Sequence, residues 1–97
     1  MFETSDVSKN KFYTYILFSK KDKGFYIGYT ADLKQRLISH AKGEVTATKF
    51  RRPLNLIYYE YFINKEDALA REEYLKSGYG RINLKAMLKR TITAVLI

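Results

Sequence analysis

From Lys11 to Phe18 the chain is almost continuously apolar or aromatic, with two interleaved faces. Phe12, Thr14, Ile16 and Phe18 fall on one side, and Tyr13, Tyr15 and Leu17 on the other, which predicts a strand. The charged stretch Lys20 to Gly24 reads as a turn, and Phe25 to Tyr29 repeats the aromatic alternation, so the two runs form a β-hairpin. The period then changes. Leu33, Leu37 and Ala41 recur at four-residue spacing, which predicts an amphipathic helix over Ala31–Lys42 with that stripe inward. Thr30 is the expected N-cap, Asp32 lies in the first turn where the helix dipole favours an anion, and Gly43 stops the helix.

Glu44 to Pro53 has no apolar period and reads as a loop, and Leu54 to Phe62 as a third strand with Pro53 just before it. Asn64 caps a second helix, with Glu66 and Asp67 in its first turn. Its inward stripe is Ala68, Leu69 and Leu75. Ser77-Gly78-Tyr79-Gly80 breaks the helix, and Leu84, Met87, Leu88, Thr91, Ile92 and Val95 define a last helical segment. The fold class is α+β: a small three-stranded antiparallel sheet flanked by helices, in the order ββαβαα. Residues 1–10 are polar and without period, an expected frayed tail; residues 11–97 form a single domain.

Two helices place polar groups where chemistry becomes possible. Arg36 and His40 are four apart and project together. Glu72 lies four after Ala68 and three before Leu75, near the centre of the inward stripe, whereas Glu73 falls well off it. A carboxylate on an inward face is costly unless it is paired, protonated or bound to a cation. Periodicity alone leaves open a salt bridge to Arg71, Lys76 or Arg36, or a cation. On the second strand Gly28 has no side chain, so a neighbouring backbone or a phosphate can approach it closely.

Composition narrows the classes. The 97 residues contain no Cys and one His, which excludes disulfides, thiolate metal sites and His-rich zinc sites. No apolar run reaches membrane-spanning length and no secretory signal opens the chain, so a cytoplasmic location is expected. Eighteen Lys and Arg against ten Asp and Glu leave a formal charge of +8, an electrostatic footprint suited to a polyanion. In the loop, Lys49 and Arg52 are candidate phosphate contacts, of the kind that confer affinity without reading sequence.

Tyr26-Ile27-Gly28, followed by Arg36 and His40, resembles the GIY-YIG nuclease domain. Phe12-Tyr13-Thr14-Tyr15-Ile16-Leu17 looks like its first motif, and Ala68 to Lys76 like the helix carrying its metal-binding glutamate. The match runs from about Phe12 to Leu88 and is closest to the short stand-alone members. The first motif departs from the family pattern, since Tyr13-Thr14-Tyr15 replaces its glycine and isoleucine.

The resemblance implies the same fold and a Mg²⁺- or Mn²⁺-dependent endonuclease that hydrolyses DNA phosphodiesters by water attack, with DNA repair as the expected setting. DNA is the expected partner and RNA stays open. A protein partner or a second copy is the expected source of targeting. Tyr15, Tyr26, Arg36, His40 and Glu72 are the implied catalytic set, with Glu72 the ligand of one metal ion. Gly28, Lys49 and Arg52 are the candidate nucleic-acid contacts. A guanidinium offers planar bidentate donors to phosphate oxygens, the lone histidine can orient a phenol or pass a proton, and one carboxylate suffices for an ion that keeps most of its waters. A phenol of pKa about 10 is a poor base at neutral pH. Two alternatives remain: a non-catalytic nucleic-acid-binding module on the same fold, whose binding survives Glu72→Ala, and a tyrosine-surfaced adaptor for a protein partner, with no affinity for nucleic acid.

Overall fold

The structure, a computed structural model, describes residues 11–96; the expected tail lies outside the described residues. The order of elements is β1 (Phe12–Ser19), β2 (Phe25–Thr30), α1 (Leu33–Lys42), β3 (Leu54–Phe62), α2 (Lys65–Lys76), α3 (Gly78–Met87) and α4 (Lys89–Leu96). The three strands form one antiparallel sheet in the order β2-β1-β3. β1 is therefore central, and from Thr14 to Ser19 it is buried on both faces. That double burial explains why its sequence carries almost no polar residue in either alternation.

Ile16 and Ile27 face the helix layer and form the core with Leu75, Leu84 and Leu88. Phe25, Tyr58, Tyr74 and Ile92 pack around this cluster. Thr14 sits on the same face, and its hydroxyl donates to the Ala68 carbonyl at 2.7 Å, both residues being buried. This bond fixes α2 along the sheet. Opposite Ile16 and Leu17 the β3 register slips by one residue, since Ile16 pairs with Tyr58 and Leu17 with Leu56.

Several expectations are corrected. Thr30 does not cap α1: its hydroxyl accepts from the Asp32 amide at 3.0 Å, and Asp32 is the cap, accepting from the Gln35 amide at 3.0 Å. Either side chain has the chemistry to cap; the turn closed by Thr30 delays the helix to Leu33. Ala41 is exposed, and the only buried side chain of α1 is His40. Leu69 is also exposed, so Ala68 and Leu75 are the buried positions of α2. The last segment is two helices, giving ββαβααα, because Leu88 leaves helical geometry while keeping its side chain in the core.

Ser77 ends α2 and caps α3 through its hydroxyl, which accepts from the Gly80 amide at 3.1 Å. Gly78-Tyr79-Gly80 are thus the first turn of α3 rather than a loop. Gly80 is where the two helices touch: a Cβ there would lie 1.8 Å from the Tyr74 carbonyl oxygen. Gly78 has open space at the same position. Gly80→Ala is expected to destabilise the protein by roughly 1–3 kcal/mol or more through forced backbone movement, while Gly78→Ala changes stability by less than about 1 kcal/mol. Urea unfolding of the two variants checks the contrast, and equal midpoints would contradict this account of the α2–α3 contact.

Candidate active site

The site grows from Tyr15, at the middle of the central strand on the face opposite the core cluster. Its cross-strand partner on β2 is Gly28. A Cβ on Gly28 would lie 2.5 Å from Tyr15 Cζ and from its hydroxyl oxygen, so the missing side chain is what admits the phenol. The space expected for a phosphate at Gly28 is filled by Tyr15, and Gly28 itself is buried. Tyr26 shares this face, its ring 6.3 Å from that of Tyr15.

Helix α1 brings the other two groups. Its start is set by the Thr30–Asp32 turn, and its end by Gly43, whose left-handed backbone (φ 78°) lets its amide donate to the His40 carbonyl at 3.1 Å. Between these limits, Arg36 and His40 lie one turn apart over Tyr15. The His40 ring meets Tyr15 and Tyr26 edge-on, at 5.6 and 5.2 Å between centroids. His40 Nε2 is 2.7 Å from the Tyr15 hydroxyl, and His40 Nδ1 is 2.7 Å from the Thr48 hydroxyl. Arg36 Nε donates to the Tyr15 oxygen at 3.4 Å.

One tautomer gives every contact in the network a donor and an acceptor. In it Arg36 donates to the Tyr15 oxygen, the phenolic proton goes to His40 Nε2, and Nδ1–H donates to Thr48. Tyr15, His40 and Thr48 are all at most 1% exposed. Burial pushes the Tyr15 phenol up to about 12; the Arg36 hydrogen bond opposes this, and the Tyr26 and Glu72 charges add to it. Burial, then the Arg36 charge, lowers the His40 imidazole below its ordinary value and favours its neutral form. The bond to Tyr15 raises the Arg36 guanidinium further.

Glu72 projects from α2 between the buried Ala68 and Leu75, and its side chain is 20% exposed. Although α2 packs against the Ile16 face, the Glu72 charge is felt at both Tyr15 and Arg36. Of the three cations open to it from sequence, Lys76 is its partner, with Nζ 3.1 Å from Oε2. Arg71 is engaged by Glu60 at 2.9 and 3.0 Å. Glu73 is exposed, as its position off the stripe predicts.

Among the described residues no group of three or more His, Cys, Asp or Glu side chains converges. Glu72, taken alone, offers one hard carboxylate. It fits a Mg²⁺-like ion that keeps most of its waters and takes its remaining ligands from substrate phosphate. The Lys76 contact is an i,i+4 pair whose lysine is 52% exposed, a type worth only about 0.3–0.5 kcal/mol. It is no obstacle to a divalent ion.

The structure brings Tyr15, Tyr26, Arg36 and His40 together; the Glu72 charge reaches Tyr15 and Arg36. It does not bring Lys49 and Arg52 to the same point. Arg52 Nε donates to the Lys49 carbonyl at 3.0 Å, and its Nη1 donates to the Ala41 carbonyl at 3.2 Å, closing the end of α1. The Lys49 ammonium lies 5.0 Å from the Phe50 ring centre. Asn83 donates to the Tyr74 hydroxyl, linking α3 to α2. Thr48 is the partner of His40 that the sequence did not single out: it comes from an aperiodic loop, and only its place eight residues after the lone histidine hints at it.

Comparison with known proteins gives the family. The family model for the GIY-YIG catalytic domain matches residues 11–85. A UPF0213 protein of Pediococcus acidilactici is 41% identical over 81 residues, covering 80% of this chain and 82% of its own. A UPF0213 protein of Streptococcus pyogenes is 42% identical over 71 residues, covering 72% of this chain and 76% of its own. The solution structure of the UPF0213 protein BH0048 from Bacillus halodurans superimposes with a TM-score of 0.52 at 34% identity, over 79% of this chain and 84% of that one. A match over three-quarters of the sequence, joined to an arginine and a histidine converging on a glycine-accommodated tyrosine, makes this chain a member of the GIY-YIG catalytic domain family, grouped with its UPF0213 proteins.

Proposed function

We propose that this protein is a divalent-metal-dependent endonuclease that hydrolyses DNA phosphodiesters by water attack. The observation that supports it most is the meeting of Arg36 and His40 on one phenolic oxygen; the Glu72 charge contributes, as the smallest influence, at Tyr15 and Arg36. Glu72 would hold the ion, which when bound supplies Lewis-acid stabilisation of the leaving oxygen.

The chain's own residues do the rest. Arg36 is exposed and its bond to Tyr15 is long, so a phosphate draws it away at little cost. There its planar donors match the non-bridging oxygens on which charge builds. Its departure bares the Tyr15 oxygen. A phenol held near 12 is no reservoir of phenolate, so Tyr15 accepts the proton of water only as it gives its own to His40 Nε2. His40 is neutral and able to take it, and Thr48 keeps the imidazole aimed. Tyr15 is then a relay and His40 the base. A second reading gives the water to Tyr26, which is half-buried where Tyr15 is sealed.

Arg36→Ala and Glu72→Ala are each expected to reduce nicking of supercoiled plasmid in Mg²⁺ or Mn²⁺ by about 10²–10³. A wild-type protein no faster than these variants sinks the hydrolytic reading, and DNA binding that persists without cutting leaves the binding-module alternative. Tyr15→Phe is expected to lose about 10²–10⁴ in kcat and Tyr26→Phe much less; the reverse order moves the proton transfer to Tyr26. Circular dichroism controls for folding.

The pH profile is a separate test. With the folded-state imidazole lowered, the base is available above its pKa and lost as pH falls through it. The acid limb of kcat/KM is therefore expected below pH about 6.5, and the residual activity of His40→Ala lacks that limb. Tyr15 adds no alkaline limb until pH approaches about 12. A limb centred above the ordinary imidazole value would contradict the relay.

A further inference from the structure

The loop between α1 and β3 is held at both ends. On one side the Thr48 hydroxyl is bonded to His40. On the other the Ser19 hydroxyl donates to the Arg51 carbonyl at 2.6 Å, and the Lys20 amide to the Pro53 carbonyl at 2.9 Å. The Arg51 guanidinium is paired with Asp22 at 2.6 Å. Between these anchors, Phe50 points outward with 75% of its surface exposed. A fixed, exposed phenyl ring on an anchored loop is a costly placement for a side chain that prefers burial.

Phe50 stands in an open cavity of about 590 Å³ with Lys21, Lys49, Arg52, Ala41 and Leu54. The volume is in the range of small-molecule sites. The wall is unlike an ordinary apolar pocket. Lys21 and Lys49 are both cations, and the Lys49 ammonium lies over the Phe50 ring. Among the described residues, no Asp or Glu lines it. Arg52 is engaged by carbonyls through Nε and Nη1, so it shapes the floor. The cavity also adjoins the site: Ala41 and Leu54 line it and line a smaller groove that includes His40.

We propose that this cavity is a nucleotide subsite, in which a nucleobase stacks on Phe50 and its phosphate is held by Lys21 and Lys49. The proposal rests on the reading that the substrate is a nucleic acid, and adds a second point of attachment for the bound strand. An aromatic face accepts any base, and lysines act on phosphate as point charges, so the subsite grips without reading sequence. The shared wall through Ala41 and Leu54 puts the subsite next to the end of α1 that carries His40.

The test is amide chemical-shift titration of the whole protein at low salt with three probes: dAMP, deoxyribose 5-phosphate and deoxyadenosine. dAMP is expected to shift Lys21, Lys49 and Phe50 amides and to bind more tightly than either fragment. Phe50→Ala, a surface change that leaves the core untouched, should weaken dAMP by about 5- to 150-fold, towards the affinity of the sugar phosphate. A Lys21→Ala, Lys49→Ala double variant should weaken dAMP and the sugar phosphate alike. Equal affinities for dAMP and sugar phosphate, or dAMP affinity unchanged in Phe50→Ala, would overturn the subsite. The readout needs no cleavage. A protein that binds dAMP here and fails to nick DNA sinks only the nuclease reading, and one that nicks without this binding sinks only the subsite.

Discussion

The helix that carries Arg36 is attached to the sheet by a buried imidazole. His40 is the only buried side chain of α1, and both of its nitrogens are hydrogen-bonded, one to Tyr15 of the central strand and one to Thr48 of the following loop. An apolar anchor would be indifferent to rotation about the helix axis. Two bonds at 2.7 Å to fixed partners are not, and they set the phase of the helix and so the direction of Arg36. The arrangement carries a risk that a leucine would not: removing either partner leaves a buried nitrogen unsatisfied, at a cost of about 1–3 kcal/mol. Stability and geometry of the site therefore rest on the same atoms.

Much of this was legible in the sequence because it follows from period and reach. The three strands, Asn64 as a cap and the selection of Glu72 over Glu73 all come from counting two or 3.6 residues at a time. The pairing of Arg36 with His40 on one oxygen follows from four-residue spacing once Tyr15 is known to face the helix. What was not legible depends on which of two competent groups wins. Thr30 and Asp32 can each cap; the tight turn between them decides. Ala41 and His40 can each turn inward, and the imidazole wins because the sheet offers it a phenol. Leu69 has the right spacing for the core, yet Thr14 already ties α2 through Ala68 and fixes the face it presents.

Gly28 shows how one residue supports opposite expectations. A strand glycine marks close approach, and the sequence cannot say by what. Here the approach is internal: Tyr15 leans into the space, and the phenol thereby reaches both α1 and the field of Glu72. The glycine serves the site by letting a neighbour occupy it rather than by opening onto a ligand. The same logic separates Lys49 and Arg52. Both lie in the basic loop, but the Arg52 guanidinium sits over Gly43, where a Cβ would be 2.7 Å from its central carbon, and it closes the end of the helix that ends near His40.

Charge is distributed so that nothing strong has to be broken for a substrate to enter. The formal +8 acts at a distance and raises the local concentration of a polyanion whatever its sequence. At the site itself the contacts that a phosphate and an ion would displace on the proposed reading are the weak ones: an exposed i,i+4 lysine on Glu72, and a long bond from an exposed arginine to Tyr15. The bonds that must persist, from His40 to Tyr15 and to Thr48, are short and shielded from water. A guanidinium that already rests on the Tyr15 phenol has only a short way to travel to a phosphate, and its departure would remove the charge that most disfavours a proton on His40 after burial itself. On the proposed mechanism, binding the phosphate would thus make the imidazole a better acceptor at the moment the phenol needs one.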